Sequence, residues 1–320
     1  MRAVALRRFG GPEALEPGEW PDPSPPPGWV VVELRAAALN WHDVIVRRGD
    51  YPVELPQILG ADGAGVRRDT GEPVVILPSL FWGSSERHPG PRFEILGDHT
   101  AGTYAELVAV PEPNVFPVPA GFDWPSAAAL PLAGATAYRA LFSRGGLQAG
   151  ETVVILGAGS GVSTIAIALA RMAGARVLVT SSSPAKLERA AELGAAGGVL
   201  YTDPDWAEQL EQADLVVDSV GATWPQSLSA LKPGGRLVAF GATGGDRATV
   251  DVRPFYFGQF SILGTTMGSP RDFAGLLALL ERNPRWRPAV EAVLGLDDAA
   301  AAHQRMERRE HFGKLVLLTA

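Results

Sequence analysis

A glycine-rich loop between a strand and a helix is the first candidate for chemistry. Thr152–Leu156 is rich in β-branched residues, and Gly157-Ala-Gly-Ser-Gly-Val-Ser163 and then an apolar helical segment follow it. Glycines at such a turn let a pyrophosphate approach the backbone N–H groups at the positive end of the helix. The alternative is a turn with a structural role only. We expect a dinucleotide cofactor to contact six loop residues, namely Gly157, Ala158, Gly159, Ser160, Gly161 and Val162.

The end of the second strand indicates which cofactor is bound. In the NAD pattern, an Asp or Glu about 20 residues beyond the loop holds the ribose 2′-OH. This chain has Thr180-Ser-Ser-Ser183 there, with Lys186 close behind. Hydroxyls and a cation can bind a 2′-phosphate, which a carboxylate would repel. We therefore predict NADP(H), bound by Ser181, Ser182 and Lys186. In the alternative interpretation, Ser183 caps a helix and Lys186 is a solvated surface charge.

The residue counts exclude several kinds of site. The chain of 320 residues has no cysteine and five histidines, which excludes disulfides, thiol nucleophiles and thiolate-bound zinc. The histidines are scattered, and we predict no metal site. A formal net charge of −7 argues against a nucleic-acid partner. No apolar run reaches the ~18 residues of a membrane helix, and the N-terminus does not resemble a signal peptide, so we expect a cytoplasmic protein without membrane contact.

Alternating strand and helix patterns must position the glycine loop. Six strands are predicted at Thr152–Gly157, Arg176–Ser181, Gly198–Tyr201, Asp214–Ser219, Gly235–Gly241 and Phe260–Gly264. This alternation predicts an α/β fold with a doubly wound parallel sheet of the Rossmann type.

The earlier part of the chain has a different sequence pattern. Short strands and prolines in the first ~115 residues indicate a β-rich, barrel-like domain. A proline-rich crossover and a helix at Ser126–Ser143 follow. We predict a barrel-like domain of residues 1–118 and 270–320, and a dinucleotide-binding domain of residues 119–269.

Ordered motifs along the whole chain resemble the medium-chain dehydrogenase/reductase superfamily, especially its zinc-free, quinone-oxidoreductase-like members. The matching segments are Ala38-Leu-Asn-Trp-His-Asp43, Arg47-Arg-Gly-Asp-Tyr51, Leu59-Gly-Ala-Asp-Gly-Ala-Gly65, Gly102-Thr-Tyr-Ala-Glu106, Leu132-Ala-Gly-Ala-Thr-Ala-Tyr138, Gly157–Ser163, Gly234–Gly241, Gly264–Gly268 and Gly313–Leu317. The resemblance implies a GroES-like barrel domain and a Rossmann domain with the active site in the cleft. It also implies a homodimer joined through the Phe260–Gly264 region.

The same resemblance shows where zinc ligands are missing. Zinc-dependent relatives carry a ligand Cys where this chain has Asn40, and Gly-His-Glu where it has Gly60-Ala-Asp62. Their third ligand position falls near Leu132. Ser79–Glu94 corresponds to their structural-zinc lobe and contains no thiol. We therefore expect no zinc at either site.

The resemblance also assigns catalytic and cofactor contacts. It implies that Asn40 contacts substrate or nicotinamide, that Tyr51 donates to the substrate oxygen and that Arg47 steadies the resulting anion. The alternative is structural: Asn40 caps a helix at Trp41–Arg48, Tyr51 packs at a turn and Arg47 faces solvent. The resemblance implies that the nicotinamide and ribose contact Thr136, Gly241, Ala242 and Thr243. It implies a weaker cofactor contact by Lys314 in the closing strand.

These expectations lead to one favoured reaction. Without a metal, the alkoxide of a simple ketone is hard to stabilise, whereas hydride addition to a quinone or an enone gives a delocalised anion. The favoured function is an NADPH-dependent reductase of small quinones or activated alkenes. His42–Asp43 suggests a proton relay, with helix capping by Asp43 or plain exposure as the alternative. The alternative functions are a zinc-free alcohol or carbonyl dehydrogenase and a non-catalytic NADPH-binding module with an RNA-binding or structural role.

Overall fold

The computed structural model describes residues 1–319 and divides into two compact units. The first unit contains residues 1–135 and 269–319, and the second contains Thr136–Gly268. Within the described part of the chain, no helix is long and apolar enough to span a membrane.

The first stretch of the chain supplies most of the first unit. Its strands are β1 (Arg2–Leu6), β2 (Leu15–Glu19), β3 (Trp29–Ala38), β4 (Gln57–Ile58), β5 (Asp62–Arg67), β6 (Pro73–Ile76), β7 (Ser79–Leu80), β8 (Glu94–Ile95), β9 (Leu107–Pro111) and β10 (Val115–Pro117). Its helices are α1 (Trp41–Arg48), α2 (Trp124–Ala128) and α3 (Pro131–Tyr138), the last of which crosses the unit boundary.

The second unit alternates strands and helices, and the chain then returns to the first unit. The elements of the second unit are a π-helix (Arg139–Arg144), β11 (Thr152–Ile155), α4 (Gly161–Met172), β12 (Arg176–Ser181), α5 (Pro184–Leu193), β13 (Gly197–Leu200), β14 (Ala213–Asp218), α6 (Trp224–Ser229), β15 (Leu231–Ala239), α7 (Val252–Phe257) and β16 (Ser261–Gly264). The returning elements are α8 (Pro270–Glu281), β17 (Val290–Gly295), α9 (Ala299–Glu307) and β18 (Lys314–Leu318).

Strand β3 is the centre of the first unit. It pairs with β5, β9 and β18 within a seven-stranded sheet whose main order is β10-β6-β5-β3-β18-β17. Its first residues alternate between buried and partly buried, while Ala36, Ala37 and Ala38 are all buried. A period of two is the pattern of a strand with one face on a core. A second sheet, β2-β1-β4, packs its buried aliphatic residues with those of α1 and α9.

The second unit is a doubly wound sheet, as predicted. All neighbouring strands are parallel, in the order β13-β12-β11-β14-β15-β16. This is the Rossmann order, and a strand segment is present at each of the six predicted places. The residues of β11, Thr-Val-Val-Ile, are all buried, as expected for a central parallel strand covered on both faces.

The boundary between the units lies later in the chain than residue 118. Helix α2 packs against β3 and β5, which keeps the segment after residue 118 with the first unit up to Ala135. The return to the first unit occurs at Ser269, next to the predicted position.

Candidate active site

The glycine loop lies at the carboxyl end of β11, as a phosphate cradle requires. Gly157 has φ +70°, a conformation that favours glycine. The Ser160 side chain caps α4 by accepting from the Ser163 N–H at 3.0 Å. The first amides of α4 have no acceptor within the helix, and they carry its positive dipole end. The loop therefore offers backbone donors to an anion.

Thr180 at the end of β12 fixes the loop to the neighbouring strand. Its backbone oxygen accepts from the Ala158 N–H at 2.8 Å, and its Oγ1 accepts from the Gly157 N–H at 3.3 Å. The sequence grouped Thr180 with the hydroxyls that could bind a 2′-phosphate, whereas in the structure its polar atoms accept from the glycine loop.

The predicted 2′-phosphate ligands lie beside this loop but are not equally accessible. The Lys186 side chain crosses Gly159, where an added Cβ would lie 2.7 Å from Lys186 Cδ and 3.2 Å from its Nζ. Ser182 is exposed, whereas Ser181 is buried and its hydroxyl accepts from the Ser183 N–H at 3.2 Å. Ser181 is therefore the least suited of the three to meet a phosphate directly, because its side chain is engaged in a turn.

Two further strand ends complete this edge of the sheet. At the end of β14, buried Asp218 accepts from the N–H groups of Val220 and Gly221 at 2.6 and 3.0 Å, which shapes the turn that contains Ser219. Thr243, which follows β15, donates from its hydroxyl to the Ser219 oxygen at 3.1 Å.

The remaining predicted cofactor contacts of this unit are Gly241, Ala242 and Thr136. An added Cβ at Gly241 would come within 2.8 Å of the Ser219 backbone oxygen, so the close approach of these two backbone segments needs glycine at position 241. Ala242 is exposed, and Thr136 is buried in α3. Carboxyl ends of parallel strands form the usual ligand edge of such sheets, so the glycine loop and residues 241–243 share one edge.

In the first unit, the ends of three adjacent strands meet in a buried polar cluster. The ammonium of Lys314 lies 2.9 Å from Asp62 Oδ2 and 2.6 Å from Asn40 Oδ1. Asp62 also accepts from Asn40 Nδ2 at 3.0 Å and from the Leu132 N–H at 2.7 Å. Asn40, Asp62 and Lys314 are all buried. We call Asn40, Asp62 and Lys314 the lysine cluster.

The lysine cluster changes what two predicted residues can do. Asn40 Nδ2 donates to Asp62 and, at 3.3 Å, to the Ala38 oxygen, so both of its amide hydrogens have partners inside the protein. Donation by Asn40 to a substrate anion is therefore excluded by this arrangement. The predicted cofactor contact of Lys314 does not fit either, because its ammonium is buried between two internal acceptors.

Arg47 is not placed to steady a substrate anion. Its side chain is buried, donates from Nε to the Gly10 oxygen at 3.1 Å and forms an ion pair with Glu307 of α9. Arg48 bonds to the same carboxylate at 2.7 Å. Both the predicted anion contact and the alternative of a solvent-facing Arg47 are wrong, because the guanidinium joins α1 to α9.

Tyr51 is the exposed residue of the site, and His42, 16% exposed, lies beside it. The Tyr51 side chain is 57% exposed, and its ring centroid lies 5.7 Å from that of His42. His42 Nε2 is 2.6 Å from Asp98 Oδ1. Burial acts to lower the pKa of His42, but the hydrogen bond and charge of Asp98, with the nearby charge of Asp43, raise it above its ordinary value. The sequence suggested a proton relay between His42 and Asp43, whereas the hydrogen bond of His42 in the structure is with Asp98.

A second polar chain runs inward from α1. Asp43 caps the helix by accepting from the Asn40 N–H at 2.8 Å, and it also accepts from the Tyr104 hydroxyl at 2.8 Å. Tyr104 in turn lies 3.1 Å from His303 Nε2. Burial raises the pKa of Asp43 to about 6, and burial together with the charge of Arg47 lowers that of His303 to about 3. This chain was not predicted, because its members are far apart in sequence.

Two protein families match the chain, one over each part. Residues 26–120 match the alcohol dehydrogenase GroES-like domain, and residues 161–282 match the zinc-binding dehydrogenase family. A quinone oxidoreductase of Pseudomonas aeruginosa is 32% identical over 340 residues, which cover 99% of each chain. This chain belongs to the medium-chain dehydrogenase/reductase superfamily.

Other relatives of this medium-chain dehydrogenase/reductase carry different descriptions. A zinc-type alcohol dehydrogenase-like protein of Schizosaccharomyces pombe is 32% identical over 344 residues, covering 99% of each chain. A crystal structure described as an NAD-dependent alcohol dehydrogenase is 41% identical, covers all of both chains and has a TM-score of 0.93. The predicted fold class and the predicted superfamily are confirmed.

The superfamily implies a catalytic zinc in its metal-dependent members, and the residues of this medium-chain dehydrogenase/reductase do not fit one. The ligand positions of those members carry Asn40, Ala61 and Leu132 here, and a lysine ammonium is bound between Asn40 and Asp62. A side-chain cation already neutralises the Asp62 carboxylate. Residues 1–319 contain no group of three or more His, Cys, Asp or Glu side chains that could hold a metal ion.

The superfamily also implies a nicotinamide dinucleotide, and the second unit fits that group. Gly157 adopts a left-handed conformation, and an added Cβ at Gly159 would require the Lys186 side chain to move. The capped end of α4 supplies backbone donors for a pyrophosphate.

Proposed function

We propose that this protein is an NADP(H)-dependent oxidoreductase that transfers hydride to a quinone, or to the activated double bond of an enone or enal, without zinc. The lysine cluster carries the proposal. Its ammonium has two internal acceptors at 2.6 and 2.9 Å, and the Asp62 carboxylate that would otherwise attract a metal is already paired.

The lysine cluster has no set of side chains that could hold a metal, and this determines which hydride acceptors suit the site. Reduction of a simple ketone places a localised charge on one oxygen, which metal enzymes stabilise with a Lewis acid. A quinone or an enone spreads the charge over a conjugated system, so hydrogen-bond donors suffice. When bound, the reduced nicotinamide supplies the hydride. An electrophilic, conjugated small molecule is therefore the substrate class that suits this site.

Tyr51 is our candidate donor to the substrate oxygen. Its side chain is 57% exposed, and its hydroxyl has no hydrogen-bond partner anywhere in residues 1–319. A phenol that is not engaged within the protein can donate to an incoming oxygen. Asn40 acts indirectly in this proposal, by holding the ammonium and the start of α1 in place.

The preference for NADP(H) over NAD(H) rests on the absence of a carboxylate at the end of β12 and on Lys186. Lys186 lies across the glycine loop, and Ser182 is exposed beside it. A cation and a hydroxyl there favour a 2′-phosphate. The NAD dependence in the description of the 41% identical structure makes NAD(H) the alternative.

That same relative favours a second candidate reaction, the oxidation of an alcohol or reduction of a carbonyl by a zinc-free dehydrogenase. The two functions differ in the substrate bond that receives hydride. A conjugated enone and its saturated ketone therefore distinguish them when they share one carbon skeleton.

The decisive experiment measures nicotinamide oxidation with NADPH and with NADH. The acceptors are a quinone, an enone and the matching saturated ketone, and metal content is determined on the same preparation. We expect turnover of the quinone or the enone, little turnover of the ketone and less than about 0.1 zinc per chain. Comparable ketone turnover that is lost on chelation, with about one zinc per chain, would overturn the proposal.

We also propose that two copies of this chain associate through the second unit. Strand β16 ends the six-stranded sheet, and an open sheet edge favours pairing. Beside it, α7 exposes Val252, Tyr256 and Phe257 at 70%, 50% and 72%. The Tyr256 and Phe257 rings lie together at 4.8 Å. An apolar patch on the helix that precedes an open edge strand suits a second copy of the same surface.

A further inference from the structure

Asp98 holds the ring of His42 in one orientation. The Asp98 carboxylate takes the Nε2 side of the imidazole at 2.6 Å. The backbone of Asp98 is itself fixed, because Gln57 Nε2 lies 2.7 Å from its oxygen and 3.2 Å from the Thr100 oxygen. A carboxylate that engages one ring nitrogen leaves the other to exchange protons. Here that nitrogen is Nδ1.

His42 Nδ1 is not engaged within the described part of the protein, and the side chain is 16% exposed. This nitrogen has no hydrogen-bond partner within residues 1–319, and it is not among their buried unpartnered atoms. The exposed Tyr51 ring lies against the imidazole at 5.7 Å between centroids. A molecule that meets the Tyr51 hydroxyl therefore comes close to a titratable nitrogen.

The charges around the imidazole favour its protonated form. Asp98 contacts it from the loop after β8, and Asp43 lies at the next position of α1; the Tyr51 ring is the third neighbour. The two carboxylates outweigh burial and raise the pKa of His42. A general acid works best when its pKa lies near the working pH.

We propose that His42, oriented by Asp98, is the proton donor that completes reduction of the activated alkene. This inference rests on the proposed function and adds the group that ends the reaction. Hydride with its electron pair adds to the β-carbon, and the π pair of the double bond moves toward the carbonyl oxygen to give an enolate. The Nδ1–H bond then breaks, its electron pair stays on nitrogen and the proton goes to the α-carbon. The cofactor is oxidised, the alkene is reduced, and neutral His42 regains a proton from solvent.

The test compares His42→Gln and Asp98→Asn with His88→Gln, an exposed histidine outside the site, as the matched control. The readout is kcat with saturating NADPH between pH 5 and 9, for an enone and for a quinone. In the unmodified protein, kcat for the enone should fall as pH rises through the pKa of His42, because the protonated ring is the donor.

Each variant has a distinct expected result. His42→Gln should lower kcat for the enone by about 100-fold or more and remove the fall with pH. The quinone should be affected less, because a phenolate oxygen takes a proton from water readily and an enolate carbon does not. Asp98→Asn should move the fall with pH to lower pH, since removing the carboxylate lowers the pKa of His42.

The outcomes separate this inference from the proposed function. If the unmodified protein reduces neither acceptor, the proposed function fails. If it reduces the enone and His42→Gln stays within threefold of His88→Gln with the same pH profile, the proton-donor assignment alone fails. An unchanged pH profile in Asp98→Asn overturns it as well. This second variant keeps the test decisive if His42→Gln does not fold, because it leaves the imidazole in place.

Discussion

Substituting Lys314 by Met tests the central electrostatic argument. Met keeps an unbranched apolar side chain but removes the ammonium that lies 2.9 Å from Asp62. The Asp62 carboxylate is fully buried, and only the donors from Leu132 and Asn40 would remain. Breaking a buried ion pair by removing one partner costs about 3–5 kcal/mol. We expect Lys314→Met to lower the free energy of unfolding by that amount.

The chain contains a matched control for this substitution. Lys232 Nζ lies 2.8 Å from Asp214 Oδ2, almost the same distance, but its side chain is 43% exposed. Exposed ion pairs contribute only ~0–1 kcal/mol, so Lys232→Met should have a small effect. A double variant, Lys314→Met with Asp62→Asn, removes the uncompensated charge and should recover more than half of the loss.

The measurement is urea unfolding at pH 7. Tryptophan fluorescence and circular dichroism monitor the unfolding transition of each unit. If Lys314→Met and Lys232→Met lower the free energy of unfolding equally, the buried ammonium is not what balances Asp62. If the double variant recovers nothing, the loss comes from packing and not from an isolated charge. Either result would refute the reasoning.

Three further predictions concern other parts of the molecule. Lys186→Ala should weaken NADPH binding by ~1–3 kcal/mol, a factor of about 5–150, and should affect NADH much less; Lys232→Ala is the control, and calorimetric titration is the measurement. Phe257→Glu should turn a dimer into a monomer in light scattering, and a monomeric parent protein would contradict the proposed association. His303 has a pKa lowered to about 3, against ~6.5 when unfolded. Unfolding therefore takes up a proton below about pH 6.5, and His303 should cost ~2 kcal/mol of stability at pH 5. The raised pKa of Asp43 acts in the opposite direction, so the free energy of unfolding in urea should be compared at pH 7 and pH 5 for the parent and for His303→Gln. If both proteins lose the same free energy of unfolding between pH 7 and pH 5, His303 does not contribute this cost.

The fold was predictable where the signals are local. The strands of the second unit are apolar runs separated by helical patterns, and a parallel sheet needs that alternation. The helix expected at Ser126–Ser143 is instead divided into α2, α3 and a π-helix. Pro131 begins α3, and proline disfavours helical geometry in the residue before it.

The site was predictable only in part, for a related reason. The glycine loop carries its signal within one strand, turn and helix, and the structure gives it the expected conformation. Arg47 and Lys314 find their partners at sequence separations of 260 and 252 residues. One sequence contains no signal for such pairings, in which Lys314 neutralises the buried Asp62 carboxylate and Arg47 the partly buried Glu307 carboxylate.

The first turn of α1 explains how one short motif serves several purposes. Asn40 turns toward Lys314 and Asp62, and Asp43 toward Tyr104, and all of these contacts are buried. Each of these buried contacts holds its two side chains in place. His42 differs, because Asp98 occupies one ring nitrogen and the other has no partner within residues 1–319. Asn40 and Asp43 thus fix the start of α1, and His42 is the member of this turn that we propose as the proton donor.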